Sequence, residues 1–384
     1  MEAFAIILAL TLAGWFICTY KFTSWDFRNN LWAPAYLLIH GKSPYRISVL
    51  FDNSNAVWFP QIIGALFPLG LLSQYQASNL WLLINVFAAM CLVIFLMRQP
   101  EQKKPTFLIY GFVLLGVFLF PPSVTLFTLG QVDFLLIATI LTGTYMIEKH
   151  NTFIAALCFA IALTKPQICF LVIPSTFIAL ILARRWKYSL EIAALIGMFM
   201  FALTIPLWVV DSNWVKDFIW NLRSNPDWLQ PALLTQLVIR FAHYGFILWL
   251  LVAIFCLALS TVLWIKLVPH QAVLWSMALT TIAAPYLWSW DFTLLLPLFV
   301  YTAARLTKIY ARLVLFSTWV AIFFFSIWSR QFDKGDNRLW WLPLLMLLGL
   351  ALSLILEYKN AIHPTPPLID TQNARTRRKP LELH

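Results

Sequence analysis

Residues 25–45 read WDFRNNLWAPAYLLIHGKSPY, a polar and aromatic stretch that follows the first long apolar run of the chain. The chain of 384 residues around it is 61% hydrophobic and only 11% charged, with a mean hydropathy of +0.79. A helix needs about 20 apolar residues to cross the hydrocarbon core of a bilayer, and the chain has room for about a dozen. This composition excludes a soluble domain and predicts an all-α, polytopic membrane protein.

Apolar runs and polar breaks define the predicted spans. They lie near residues 3–20, 78–97, 106–121, 131–147, 152–164, 167–183, 188–210, 245–265, 271–285, 292–304, 313–329 and 339–357. The stretch 152–183 is too long for one span, and Lys165-Pro166-Gln167 interrupts it, so a hairpin that turns at Lys165 is the simplest interpretation.

The apolar run 56–73 has two interpretations. If it spans, Arg98, Lys103 and Lys104 move to the outer side. If it is interfacial or re-entrant they stay inside, as the bias of basic residues toward the cytoplasm favours. Prolines within the run also disfavour a straight span, so the second interpretation gives about 12 spans and two cytoplasmic termini.

The predicted domain organisation is a single integral-membrane domain, 1–358, followed by a basic and disordered cytoplasmic tail, 359–384. The two long outer connections are 21–77, with interfacial helices, and 211–244. Together these features predict a multi-pass protein of the cell membrane.

The net charge of +11 would suggest nucleic acid as a partner for a soluble protein. In this chain the basic residues mostly flank cytoplasmic helix ends, so the predicted partners are membrane lipids and no nucleic acid. Aspartates behave differently, because they gather with tryptophans on the outer side. An aromatic belt at the interface accounts for most of these tryptophans but not for the carboxylates. Carboxylates, arginines and aromatic faces together suit a sugar and a phosphate.

Five segments resemble, in order, the signatures of the family 87 glycosyltransferases. The first is Trp25-Asp26-Phe27, followed by Leu38-Ile39-His40-Gly41-Lys42-Ser43-Pro44-Tyr45. The others are Phe59-Pro60 with Leu66-Phe67-Pro68-Leu69, Leu129-Gly130-Gln131-Val132-Asp133, Thr164-Lys165-Pro166-Gln167, and Ala284-Pro285-Tyr286-Leu287 with Asp291 and Pro297. Asp133 stands where the family usually has Asn, and Trp290-Asp291 stands where some members have His.

The resemblance implies a GT-C fold, a polytopic helical enzyme that uses polyprenyl-phosphate sugars on the extracytoplasmic face. The expected reaction moves a hexose, mannose by default, from a polyprenyl phosphate donor to a lipid or glycan acceptor. The polyprenyl-phosphate sugar is then a co-substrate, and no cofactor is expected. A divalent metal is possible but not favoured, because the sequence shows no tight carboxylate pair.

Asp26 is the predicted catalytic base. An inverting transfer from a lipid-phosphate sugar needs one carboxylate to take the proton of the acceptor hydroxyl. Phosphate is already a good leaving group, so no partner acid is required. The alternative is that Asp26 only pairs with Arg28 or Lys21 at the interface.

The predicted ligands of the donor phosphate are Lys165, Arg28 and Arg240. A lysine in an apolar hairpin is costly unless it meets an anion. The alternative for Lys165 is snorkelling to the outer headgroups, and for either arginine an ion pair in a loop.

The predicted contacts to sugar or acceptor are Gln131, Asp133, Gln167, Trp290 and Asp291. A tryptophan ring under a sugar, with a carboxylate for its hydroxyls, forms a plausible pocket. The alternative for Gln131, Asp133 and Asp291 is helix capping.

Two other functions stay open at the level of sequence. A transporter or lipid flippase tends to place ionisable groups near the bilayer midplane and to show repeated halves, whereas here the carboxylates gather at one face and no repeat is found. The other is a non-catalytic subunit that keeps only the fold.

Overall fold

The computed structural model describes Thr11, Gly14 and residues 24–52, 54–98, 107–224, 230–332 and 335–358. Within these ranges every regular element is a helix, which confirms the predicted all-α class. The first predicted span near 3–20, apart from Thr11 and Gly14, lies outside the described residues, as do Lys21, Lys103 and Lys104 and the predicted tail 359–384.

The helices of the first half begin in the predicted outer connection. They are α1 (Trp25–Phe27), α2 (Ala33–Ile39), α3 (Pro60–Leu66), α4 (Gln74–Met97), α5 (Phe107–Phe118), α6 (Pro121–Leu129), α7 (Asp133–Glu148), α8 (Thr152–Ala162) and α9 (Val172–Leu182). A π-helical segment, Arg28–Trp32, joins α1 to α2, and 3-10 segments follow α3 (Phe67–Leu71) and precede α9 (Pro166–Cys169).

The second half continues the series of helices. They are α10 (Trp186–Ala202), α11 (Ile205–Val210), α12 (Trp214–Arg223), α13 (Leu233–Phe241), α14 (His243–Lys266), α15 (Pro269–Ala283), α16 (Leu296–Arg305), α17 (Ile309–Ser329) and α18 (Leu342–Tyr358). A 3-10 segment, Ser289–Leu295, precedes α16, and another, Asp336–Leu339, precedes α18.

Several predicted boundaries differ from the observed ones because proline interrupts the apolar runs. The predicted helix 106–121 ends at Phe118, and Pro121 begins the separate helix α6, which bends away by 54°. Pro206 likewise begins a new turn after α10. Proline lacks the N–H that a continuing helix requires, so each run becomes two helices.

Five described helical stretches, two of which join consecutive elements, are long and apolar enough to cross a membrane, or six if the bent pair α5–α6 is one span. They are Gln74–Met97, Trp186–Val210, His243–Lys266, Ile309–Ser329 and Asp336–Tyr358. These helices fit a membrane-embedded protein. The count of about twelve spans stays a prediction, because the remaining helices are shorter.

The stretch 152–182 forms a hairpin that turns at Lys165. At its two ends, the Thr152 hydroxyl donates to the Glu191 carboxylate at 2.6 Å, and the Tyr188 hydroxyl donates to the Ile147 carbonyl at 3.4 Å. Since Tyr188 and Glu191 closely follow α9, the end of α9 lies at the same end of the helix bundle as the start of α8. Lys165 therefore lies at the opposite end of the bundle, at the tip of the hairpin.

The run 56–73 also begins and ends at the same end of the helix bundle. The Val57 amide donates to Asn30 Oδ1 at 2.8 Å near its beginning, and Trp32 Nε1 donates to the Leu72 carbonyl at 3.0 Å near its end. Gly64 in α3 lies against the backbone of Leu203, so closely that a Cβ would meet its carbonyl. The segment is two short helices packed on the bundle, and its interfacial placement stays a prediction.

The two predicted outer connections pack against each other. Asp217 on α12 accepts from Ser43 Oγ at 2.8 Å and from Arg46 Nε at 2.8 Å. Asn221 Nδ2 donates to the carbonyls of Tyr45 at 2.7 Å and Ala56 at 3.1 Å. The connections therefore lie at one end of the bundle, called here the Asp26 end.

The opposite end, called here the Glu148 end, contains other ionic contacts. Glu148 accepts from the His270 amide at 2.9 Å at the start of α15. Glu357 accepts from the amides of Thr307 at 3.1 Å and Lys308 at 3.0 Å at the start of α17. The described glutamates all lie at this end and the described aspartates all at the Asp26 end.

Reporter fusions test which end faces the cytoplasm. The basic residues around Arg184 and Lys187 lie at the Glu148 end, so fusions at residues 100, 187 and 384 are expected to read cytoplasmic. An extracytoplasmic signal at residue 187 would invert the orientation, and one at residue 100 alone would contradict the return of the 56–73 run.

Candidate active site

The site is built on a turn between α6 and α7. Gly130 there has φ +71°, and its amide and that of Gln131 donate to the Leu126 carbonyl at 2.9 and 3.0 Å, which ends α6. Trp81 Nε1 donates to the Gly130 carbonyl at 2.8 Å. A Cβ on Gly130 would lie 2.6 Å from Ser24 Cβ and 2.7 Å from Phe27 Cβ. Glycine is required because α1 packs directly on this turn.

This packing brings Asp26 to Gln131. Gln131 Nε2 donates to Asp26 Oδ2 at 2.5 Å, and both side chains are buried, with Asp26 8% exposed. Trp25, one position earlier, is half exposed at 50%. Phe27, one position later, stacks on Trp81 with ring centroids 5.4 Å apart. Asp26 and Phe27 are both buried whereas Trp25 is exposed, so the Asp26 carboxylate lies inside the bundle.

Lys165 joins three segments that are distant in sequence. Its Nζ lies 2.7 Å from Asp133 Oδ1 and 2.5 Å from Asp291 Oδ1, and 3.5 Å from Gln131 Oε1. Asp133 begins α7, and Asp291 lies in the 3-10 segment before α16. Asp26, Gln131, Lys165, Asp133 and Asp291 are called here the Lys165 cluster.

Asp291 belongs to a second turn that carries aromatic rings. Its Oδ2 accepts from the Trp288 amide at 2.8 Å, so the predicted capping role is observed together with the ion pair. Trp288 and Trp290 stack with centroids 5.2 Å apart and an interplanar angle of 11°. Trp288 Nε1 donates to the Tyr286 hydroxyl at 2.8 Å. An aromatic wall therefore lies beside the carboxylates.

The loop before α18 holds this aromatic turn in place. Asp336 Oδ2 accepts from the Ser289 amide at 2.7 Å, and Asp336 Oδ1 accepts from the Ser289 hydroxyl at 2.5 Å. Both bonds cap the first turn of the segment that carries Asp291. Asp336 thus supports the turn that carries Asp291.

Burial dominates the electrostatics of Asp26. Desolvation raises the pKa of the Asp26 carboxyl to about 6, although the hydrogen bond from Gln131 and the positive charge of Lys165 both lower it. Burial also raises the pKa of the Tyr286 hydroxyl, and the charges of Asp291 and Asp26 add to the rise against the hydrogen bond from Trp288 and the charge of Lys165. Tyr286 therefore lies within electrostatic range of both carboxylates and Lys165.

The structure resolves several alternatives left open by the sequence. Asp26 bonds to Gln131, whereas Arg28 donates from Nε to Asn29 Oδ1 at 2.8 Å and lies over the Phe51 ring. Lys21, the other predicted partner of Asp26, lies outside the described residues. The side chains of Gln131 and Asp133 do not cap α7, because they point at Asp26 and Lys165. Lys165 forms ion pairs instead of reaching the headgroups.

The structure does not bring every predicted site residue into the cluster. The guanidinium of Arg240 lies 4.6 Å from the ring centroid of Trp340. Gln167 is half-buried in the Pro166–Cys169 segment, and its side chain bonds to none of the described residues. Their roles at a phosphate and at a sugar stay predictions.

Tyr286 and Asp336 are the site residues that sequence reasoning missed. Tyr286 belongs to the segment Ala284-Pro285-Tyr286-Leu287, and its hydroxyl in otherwise apolar surroundings could have marked it as a candidate site residue. Asp336 contacts a turn 47 residues earlier in the chain, and no local pattern predicts that pairing.

No group of three or more His, Cys, Asp or Glu side chains in the described ranges is arranged to hold a metal ion. Asp133 and Asp291 form a buried carboxylate pair that the sequence did not reveal, and a lysine ammonium occupies the place between them. Asp52, an exposed residue, does not join them.

Residues 59–289 match the sequence model of glycosyltransferase family 87. The chain belongs to this family. The match covers more than half of the chain and includes the turn with Gln131 and Asp133, Lys165, and the start of the aromatic turn. No curated protein matches the chain. Membership of family 87 and the apolar helices together support a membrane glycosyltransferase.

Proposed function

We propose that this family 87 protein transfers a hexose, mannose by default, from a polyprenyl phosphate to a lipid or glycan acceptor on the extracytoplasmic face. The observation that carries the proposal is the buried Asp26 carboxylate, held by Gln131 beside Lys165, Asp133 and Asp291 at one end of an apolar bundle. A donor with an isoprenoid chain reaches such an end from within the bilayer.

In the proposed reaction Asp26 acts as the base. Its carboxylate takes the proton of the acceptor hydroxyl as the acceptor oxygen bonds to the anomeric carbon of the sugar. The bond from that carbon to the phosphate oxygen breaks, and polyprenyl phosphate leaves with the electron pair. Attack from the face opposite the phosphate inverts the anomeric configuration. Phosphate needs no protonation to leave, so one carboxylate suffices.

The rest of the Lys165 cluster and the aromatic wall suit a sugar. Asp133 keeps Oδ2 buried without a hydrogen-bond partner among the described residues, so this oxygen can accept from a sugar hydroxyl. The rings of Trp288 and Trp290 offer the apolar faces on which the C–H side of a hexose packs. The Tyr286 hydroxyl, 38% exposed as a residue, adds a polar group at the opening.

Transfer of label tests this proposal directly. Purified wild-type protein is incubated with radiolabelled polyprenyl-phosphate mannose and a total lipid extract, and the label is followed into products. Label in a new lipid or glycan supports the transferase. Movement of intact donor across a vesicle membrane without transfer would instead support a flippase. Neither result would indicate a non-catalytic subunit.

The pH dependence of transfer follows from the pKa of Asp26. A base must be ionised, and burial raises the pKa of this carboxyl to about 6. The kcat/KM of the wild type is therefore expected to fall about tenfold per pH unit below pH 6 and to level off above it. A midpoint near pH 4, the ordinary value for aspartate, would remove Asp26 from the role of base.

A further inference from the structure

The ammonium of Lys165 already has two close partners of opposite charge. Lysine has three N–H donors, and three oxygens surround Nζ: Asp291 Oδ1 at 2.5 Å, Asp133 Oδ1 at 2.7 Å and Gln131 Oε1 at 3.5 Å. The Lys165 side chain is only 11% exposed, and both aspartate side chains are fully buried. A phosphate would have to displace one of these partners to bind Lys165.

Displacing them would leave two carboxylates together without a cation. Asp133 and Asp291 both contact the same nitrogen, so they lie close to each other in a part of the bundle without exposure to solvent. Buried like charges repel strongly at this separation, and removal of the shared cation leaves each uncompensated. Lys165 therefore holds together two segments, the start of α7 and the turn before α16.

Lys165 also decides which way the Gln131 amide points. Gln131 Oε1 faces the ammonium while Nε2 donates to Asp26 Oδ2 at 2.5 Å. The flipped amide would place N–H groups against the ammonium and an oxygen against the carboxylate, and both contacts would repel. The positive charge thus selects the amide orientation in which Gln131 holds Asp26.

We infer that Lys165 is a positioning residue: its ammonium balances the Asp133–Asp291 carboxylate pair and, through Gln131, fixes the Asp26 carboxylate in the orientation for proton abstraction. The donor-phosphate contact predicted for Lys165 from the sequence is the alternative role that the experiments below test. The part that concerns catalysis rests on the proposed transferase function. The balance of charge between Lys165 and the carboxylates does not.

Rescue by a second charge change distinguishes the two roles. In Lys165→Met the stem remains and the charge is lost, and turnover is expected to fall on the order of 100-fold because a buried ion pair is broken. Adding Asp133→Asn removes one of the two stranded charges, and its amide can donate to Asp291. The double variant is expected to turn over at least tenfold faster than Lys165→Met. If Lys165 instead bound the donor phosphate, the cation would be missing from both variants, so both would bind polyprenyl phosphate more weakly than wild type.

The binding of polyprenyl phosphate and the dependence of kcat/KM on pH distinguish a positioning role of Lys165 from a general loss of structure. Binding of a polyprenyl phosphate is expected to stay within about threefold of wild type in the double variant, well under the loss for a charged contact. Among the described residues, the positive charge of Lys165 lowers the pKa of Asp26, and Tyr286 lies within electrostatic range of Asp26, Asp291 and Lys165. The midpoint of kcat/KM against pH should therefore rise by roughly one unit in Lys165→Met and fall back in the double variant.

Melting temperatures test the charge balance whether or not transfer is found. Lys165→Met is expected to lower the melting temperature by roughly 5 °C or more. Asp133→Asn should raise that of Lys165→Met, although it does not raise that of the wild type. Lys266→Met, an exposed lysine at the Glu148 end, is the matched control and should change neither stability nor turnover.

Three outcomes would overturn the inference. Equal turnover loss in the single and double variants, with polyprenyl phosphate binding weakened 10-fold or more in both, would return Lys165 to the phosphate. If the changes in melting temperature caused by Lys165→Met and Asp133→Asn simply added in the double variant, Lys165 would not balance the charge of Asp133. A midpoint of kcat/KM against pH that is the same in Lys165→Met and wild type would show that Lys165 does not act on Asp26. Absence of transfer by the wild type would refute the proposed function alone, because the melting experiment still tests Lys165.

Discussion

Asp26→Asn is expected to reduce turnover by 10²-fold to 10⁴-fold, the contribution typical of general base catalysis. The asparagine keeps the shape of the side chain, and its Oδ1 can still accept the Gln131 Nε2 hydrogen bond. It cannot take a proton from the acceptor hydroxyl. Binding of a polyprenyl phosphate should change little, because the substitution adds no bulk.

Stability is expected to move in the opposite direction to activity in this variant. The pKa of the Asp26 carboxyl is about 6 in the folded protein and about 3.9 in an unfolded chain. A raised folded pKa stabilises the protein below the unfolded value, and that stability is lost as the pH rises from about 4 to about 6. At pH 7 Asp26→Asn should therefore melt no lower than wild type. A folded variant that keeps more than about a tenth of wild-type turnover would contradict Asp26 as the base.

Gly130→Ala is expected to cause the second-largest loss. Its new Cβ would lie 2.6 Å from Ser24 Cβ and 2.7 Å from Phe27 Cβ, at a backbone φ of +71° that alanine adopts only with strain. The turn must then move away from α1, which separates Gln131 from Asp26. A displacement of about 1 Å at a reacting group costs on the order of 100-fold in rate, so turnover should fall by about this factor.

Gly197→Ala is the matched control for this substitution. Gly197 lies inside α10 with no atom within 4 Å of the added Cβ and with no positive φ. Alanine there is expected to raise helix stability by up to about 1 kcal/mol and to leave turnover unchanged. Equal activity in the two variants, measured by transfer of label at matched protein amounts, would show that the contact of the turn with α1 does not matter.

Local sequence patterns predicted the helices well where apolar runs are long. The runs near 78–97 and 245–265 appear as Gln74–Met97 and His243–Lys266 because nothing within them interrupts the hydrogen-bond ladder. The helices α12 and α13 in the second outer connection were not predicted. They are amphipathic, short and stabilised by tertiary contacts such as that of Asn221 with Tyr45, which a search for apolar runs cannot detect.

The site was predictable as a set of residues but not as a geometry. Asp26, Gln131, Asp133, Lys165 and Asp291 were all selected as polar residues in apolar surroundings, where burial demands a partner. The identity of each partner depends on contacts over more than a hundred residues, such as Asp26 with Gln131 and Lys165 with Asp291. For that reason Lys165 was expected at a phosphate, whereas the structure places it between two aspartates.

The measurement that tests the account most directly is transfer of labelled sugar from polyprenyl phosphate by the full chain in lipid vesicles, with wild type and Asp26→Asn compared across pH 4 to 8. Wild-type protein is expected to release polyprenyl phosphate and to label an acceptor with a midpoint near pH 6. Asp26→Asn is expected to bind donor yet to transfer at most a hundredth as fast. Equal transfer by the two proteins, or binding of donor by wild type without any release of polyprenyl phosphate, would contradict the account.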